Sequence, residues 1–117
     1  MVFLFSAIRF PIFTQISKMP SVVISDASTL ILLQKINHLD LLKKVYGRLL
    51  TTGEIAKEFG NPLPKWIEIH SVSDRKYQEF LETQLDTGEA SAIALAKQFN
   101  EVLLILDDLK PENWPLN

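Results

Sequence analysis

Val22-Val23-Ile24-Ser25-Asp26-Ala27-Ser28-Thr29-Leu30-Ile31 is the stretch whose reading decides the fold of this 117-residue chain. Val22 to Ile24 are β-branched and uninterrupted, which suits a central parallel strand covered on both faces. The run ends in an acid, and helix-compatible residues follow at once. In open α/β sheets, ligands bind in the crevice beyond the carboxyl ends of the strands. Asp26 therefore belongs at the rim of the sheet, where we expect it to be the first ligand of a metal site. The plainer alternative is that it only caps the helix that follows.

Downstream, Ser28 to Leu42 is rich in leucine and isoleucine at helical spacing, with Asn37-His38 as an interruption. Asp40 opens a second short helix, and Gly47 ends it. Arg48 to Thr51 reads as a short strand, and Thr52 as the N-cap of a helix over Gly53 to Phe59. Gly60-Asn61-Pro62, with Pro64, makes a loop. Trp66-Ile67-Glu68-Ile69-His70 alternates apolar and polar residues, as a half-exposed strand does. Ser73 or Asp74 starts a helix that carries Tyr77, Phe80 and Leu81. Asp86 and Glu89, three apart, resemble a capping box ahead of Ala90, Ile93, Ala94 and Ala96, a helix ending near Asn100. Val102 to Leu106 is a second wholly apolar strand, closed by Asp107-Asp108. Strands that alternate with helices predict an α/β fold with a central parallel sheet and right-handed crossovers.

Composition narrows the classes. Hydrophobic residues make up 47% and charged residues 22% of the chain, which is ordinary for a globular domain with a modest core. The net charge of −2 gives no bulk attraction to nucleic acid, so such a partner needs a local basic rim. The absence of cysteine removes disulfides and thiolate metal sites, and it fits a reducing cytoplasm. No run approaches the roughly 20 apolar residues that span a bilayer. Met1 to Phe13 comes nearest, but Ser6, Arg9 and Pro11 break it, and it lacks the flanks of a secretory signal. Met19 stands just ahead of the Val22 strand. Residues 1–19 therefore read as an extension upstream of the true start, and 20–117 as the domain.

Two apolar strands each end in acid, Asp26 after one and Asp107-Asp108 after the other. If those strands are parallel neighbours, the carboxylates converge on one edge of the sheet. Glu58 lies late in a helix that follows another strand, and Glu89 lies in the first turn of a helix. Such oxygen donors suit Mg²⁺ or Mn²⁺. The chemistry they support is hydrolysis of a phosphodiester, by neutralising phosphate and lowering the pKa of an attacking water. Each acid also has a bland reading: Glu58 as a solvated side chain, Asp86 and Glu89 as a capping pair, Asp107-Asp108 as turn residues. Their repeated place at strand ends favours the metal reading. His38 and His70 lack ligand-like spacing, and there is no phosphate-binding glycine loop or nucleophile elbow.

Three segments together resemble the PIN-domain superfamily: Val23 to Ile31, Leu85-Asp86-Thr87-Gly88-Glu89-Ala90-Ser91-Ala92-Ile93-Ala94-Leu95-Ala96, and Leu104-Ile105-Leu106-Asp107-Asp108-Leu109-Lys110. The similarity is greatest to the VapC-like, domain-of-unknown-function subset and covers about residues 20 to 110. It implies a three-layer α/β/α sandwich and cytoplasmic cleavage of RNA with Mg²⁺ or Mn²⁺. It also implies a cognate antitoxin as protein partner, with a homodimer as a further expectation. By position, Asp26 resembles the first metal ligand and Ser28 its supporting hydroxyl. Glu58 resembles the acid of the second segment, which Glu54 fits less well. Glu89 resembles the third acid, and Asp107 or Asp108 the fourth.

Relatives continue past the Asp-Asp-x-Lys segment with a further helix and strand. Here Pro111 to Asn117 close the sequence with two prolines, so the family's last strand is expected to be missing. In the family's usual strand order, 3-2-1-4-5, that loss leaves Val102 to Leu106 as an apolar edge. Val2 to Ile8, or a second copy of the chain, is expected to cover it. The first reading is thus a metal-dependent ribonuclease of toxin type. Its rival is a truncated, non-catalytic relic that keeps only antitoxin binding or dimerisation. A receiver-like signalling domain comes last, because Trp66 to Ser71 offers no phosphoacceptor aspartate.

Overall fold

A computed structural model describes residues 2–6 and 22–107, with side chains over 22–106. Residues 7–21 (Met19 among them) and Asp108 to Asn117 lie outside the described residues, so the expectation about the translation start has no structural counterpart. In chain order the elements are β1 (Val2–Ser6), β2 (Val22–Ser25), α1 (Ala27–Lys35), α2 (Asp40–Tyr46), β3 (Leu49–Thr51), α3 (Gly53–Phe59), β4 (Ile67–Ile69), α4 (Arg75–Leu81), α5 (Thr87–Ala96) and β5 (Val102–Asp107).

The five strands form one sheet in the order β1-β5-β2-β3-β4. Four of them are parallel: β2 pairs with β3 and with β5, and β3 pairs with β4. The chain steps outward from β2 to β3 to β4, then returns past β2 to lay down β5 on its other side. Right-handed crossovers put the helices of the two directions on opposite faces, giving an α/β/α arrangement. The centre is apolar on both sides, as the uninterrupted β-branched run predicts. Val23, Ile24, Leu49, Leu50, Val102, Leu104 and Ile105 are buried among Leu30, Ile55 and Leu95 from the helices. Each such side chain removed from water contributes about 1.5–3 kcal/mol.

Local chemistry sets the helix boundaries. Asp26, Thr52, Asp74 and Asp86 occupy the N-caps of α1, α3, α4 and α5, and each side chain accepts a backbone N–H from the first turn. Of Ser73 and Asp74, it is Asp74 that caps α4. Asn37 takes a left-handed conformation (φ 59°), which breaks the Ser28–Leu42 pattern into two helices where the sequence suggested an interruption. Gly60 ends α3 in the left-handed region, where a Cβ would be strained. α5 stops at Ala96, four residues short of the expected end at Asn100.

Among the described residues no strand follows β5 in the chain. The place beside it is filled from the other direction. β1 runs antiparallel to β5 over its whole length, with Val2 opposite Asp107 and Ser6 opposite Leu103. Of the two covers expected for the apolar edge, the N-terminal segment is the one observed.

Candidate functional site

The direction of chain travel reverses at β2, with β3 on one side and β5 on the other, so the crevice at their carboxyl ends is the topological switch point. Asp26 stands at this crevice. Its backbone N–H donates to the carbonyl of Ile105 at 3.0 Å, tying it to β5 two residues before Asp107. Ser25 and Ile105 are paired in the parallel register, so Asp26 and Asp107 leave neighbouring strands at the same end. Asp26 is buried, 5% exposed, and its Oδ1 accepts the Thr29 N–H at 2.9 Å. The capping role and the rim position therefore coexist in one side chain. Ser28 is half-buried in the first turn of α1. For Asp107 only the backbone is described, and Asp108 lies outside the described residues.

A second acidic group gathers at the N-terminus of α5. Asp86 Oδ1 accepts the Glu89 N–H at 2.8 Å, the forward half of the capping box. Glu58, from the last turn of α3, reaches the same turn. A Cβ built on Gly88 would come within 2.6 Å of Glu58 Oε1 and 3.7 Å of Asp86 Oδ1. Gly88 is buried, and its bare Cα is what lets the Glu58 carboxylate approach. Glu89 is half-buried in that first turn.

The two helices are held together beneath these acids by a chain of hydroxyls. Ile55 N–H donates to Thr52 Oγ1 at 3.1 Å, Thr52 and Ser91 hydroxyls meet at 2.7 Å, and Ser91 donates to the Gly88 carbonyl at 2.8 Å. Because Ser91 spends its proton on Gly88, Thr52 is the donor in the shared bond. All three links are buried. The sequence marked Thr52 as a cap but gave no sign of its partner in α5.

Glu54 is engaged elsewhere. Its Oε2 accepts from Gln78 Nε2 at 2.8 Å and from Arg75 at 3.4 Å. Gln78 is 2% exposed, and its amide also donates to Glu82 at 3.0 Å. Partial burial pushes the Glu54 carboxyl upward, but the hydrogen bonds from Gln78 and Arg75 and the Arg75 charge outweigh it and hold the pKa below its ordinary value. His70 and Arg48 both contact Glu68 on the edge strand β4.

Thus the structure brings Asp26 beside the end of β5, and Glu58 beside Asp86 and Gly88. Among the described residues, no group of three or more histidines or acids converges closely enough to hold a metal ion. Of the acids expected at the crevice, Asp26 is the one whose side chain is described there, and a carboxylate oxygen is the donor type that suits a hard divalent cation. Among the described residues no helix is long and apolar enough to cross a membrane.

Comparison with known proteins agrees with the topology. A family model described as a PIN domain matches residues 22–114, which runs from the start of β2 to beyond the end of β5. Searches of curated proteins and of solved structures found no match to the chain.

Proposed function

Because the chain belongs to the PIN-domain family, we propose that it is a metal-dependent ribonuclease of toxin type acting in the cytoplasm. The observation that carries this reading is the placement of Asp26. It is a buried carboxylate at the switch point of the sheet, bonded through its backbone to the strand that ends in Asp107. Asp26, Glu89 and Asp107 or Asp108 would hold Mg²⁺ or Mn²⁺, with Ser28 supporting Asp26 and Glu58 completing the acidic rim. A cation there supplies charge neutralisation of a phosphodiester and a more acidic water. The protein's own part is to hold the carboxylates in place. Asp26 is locked by its cap bond, and Glu58 is admitted by Gly88.

RNA is the substrate in this reading, and a cognate antitoxin is the protein partner. The exposed apolar side chains of Leu32 on α1, Ile36 at its C-cap, and Leu41 and Val45 on α2 support a protein partner, flanked by Lys35, Lys43 and Lys44. The test is RNA cleavage by the full chain with Mg²⁺ or Mn²⁺ and with EDTA. Cleavage that requires the metal is expected. No cleavage at any metal concentration, together with no thermal shift on adding Mn²⁺, would overturn the assignment in favour of a non-catalytic binding module.

A further inference from the structure

The two edges of the sheet differ in what they offer another chain. β4 is three residues long and carries Glu68 in its middle, held by Arg48 in a bidentate ion pair at 3.0 and 3.1 Å. A short strand with a charge at its centre is a poor template for pairing. The opposite edge is β1, and among the described residues nothing pairs with its outer side. Its sequence, Val2-Phe3-Leu4-Phe5-Ser6, has no charge, glycine or proline, the residue types that blunt an edge.

Along an antiparallel strand, successive residues alternate in the side to which their N–H and C=O groups point. β1 therefore spends one set of these groups on β5 and turns the other outward. Whichever set faces out, Val2, Leu4 and Ser6 or Phe3 and Phe5, it is symmetric about Leu4. Such a row is complementary to its own copy in antiparallel register, with Leu4 opposite Leu4, Phe3 opposite Phe5 and Val2 opposite Ser6. Every outward donor then meets an acceptor, and no like charges are opposed.

We propose that β1 is a homodimer interface, in which the outer edges of two copies pair antiparallel across a two-fold axis at Leu4 and join their sheets into one. This contact is isologous and closed. It consumes both apolar edges and leaves only the two guarded β4 edges, so assembly stops at two copies. Five residues a side make a small contact beside a standard interface, so the dimer forms in a concentration-dependent way. The same pairing sets the β5 strands of the two copies antiparallel. Their crevices open at opposite rims, and neither borrows a residue from the other. The inference thus stands apart from metal-dependent cleavage, which is assayed separately.

The chain contains no cysteine, so a single introduced thiol reports its own neighbour. The experiment uses the full chain, with sedimentation over a hundredfold range of concentration and cross-linking by mild diamide oxidation. The wild type is expected to rise from a 13.3 kDa species toward twice that mass. Leu4→Cys should form a disulfide-linked dimer, because directly opposite residues bring their Cβ atoms to about 4.5–5.5 Å. Ile69→Cys, exposed on β4, should link far less. Phe3→Cys and Phe5→Cys should cross-link more when mixed than either does alone, which reads the register.

Two results would overturn the proposal. One is a wild type that keeps the mass of a single chain throughout the concentration range. The other is a yield of linked Leu4→Cys no higher than that of Ile69→Cys. If reduced Leu4→Cys unfolds more easily than the wild type, the mixture of Phe3→Cys and Phe5→Cys is judged by the same comparison.

Discussion

Thr52, at the N-cap of α3, donates a buried 2.7 Å hydrogen bond to Ser91 in α5, 39 residues later. The same Thr52 oxygen accepts the Ile55 N–H, so one hydroxyl both starts a helix and fastens it to another. This bond sets the separation of the two helices that bring Glu58 to Gly88.

Thr52→Val keeps the side-chain volume but removes both bonds. It should cost about 2 kcal/mol, the sum of a lost N-cap and an orphaned buried hydroxyl. Urea unfolding measures this. The double variant Thr52→Val/Ser91→Ala should cost less than the two single changes added together, because the second change removes a group the first had already left without its donor.

Asp26 carries two roles that substitution can separate. Asparagine caps a helix about as well as aspartate, so Asp26→Asn should lie within about 0.5 kcal/mol of the wild type in stability. Asp26→Ala should lose about 1 kcal/mol more. Both should abolish Mn²⁺-dependent RNA cleavage. Undiminished cleavage by a stable Asp26→Asn protein would remove Asp26 from the site.

Gly88→Ala tests Glu58 without touching it. The added methyl meets the far end of a flexible side chain, which can swing away. Alanine also has the better helix propensity, by up to about 1 kcal/mol. Stability should therefore hold or rise slightly while cleavage falls at least tenfold. A fully active Gly88→Ala variant would show that the approach of Glu58 to α5 is structural only.

Glu54 sets a pH dependence. Its folded pKa lies below the ordinary carboxylate value, with partial burial opposing and the Gln78 and Arg75 hydrogen bonds prevailing. A group with a depressed folded pKa contributes stability above its unfolded value and loses it as pH falls through the folded one. Unfolding midpoints should thus fall with pH below about 4.5. Glu54→Gln should flatten that part of the profile, as thermal unfolding between pH 3 and 6 would record. An unchanged slope in the variant would assign the acid sensitivity to other carboxylates.

What was legible in the sequence was what residues do to their near neighbours. The caps at Asp26, Thr52 and Asp86 act within three positions, and each was readable from residue type and spacing. The parallel order of β2, β3 and β5 followed from the alternation of apolar strands with helices, and the break at Asn37 from a polar pair in a leucine-rich run. What stayed hidden acts across long separations. That an apolar N-terminal segment could cover the β5 edge was legible, but its register, Val2 opposite Asp107, was not, since an uncharged apolar strand pairs with any edge that topology offers. Gly88 looked like one small residue in a helix start until α3 was laid beside it, and Gln78 gave no sign that its buried amide would be shared by Glu54 and Glu82.

The antiparallel course of the first strand also decides where the polypeptide's leading end emerges. Val2 stands opposite Asp107, at the same rim as Asp26. A purification handle or fusion partner would therefore join the chain close to the crevice where the proposed cleavage of RNA is placed. Cleavage of RNA by a tagged chain is expected to rise once the handle is removed, which a side-by-side assay of the two forms would measure.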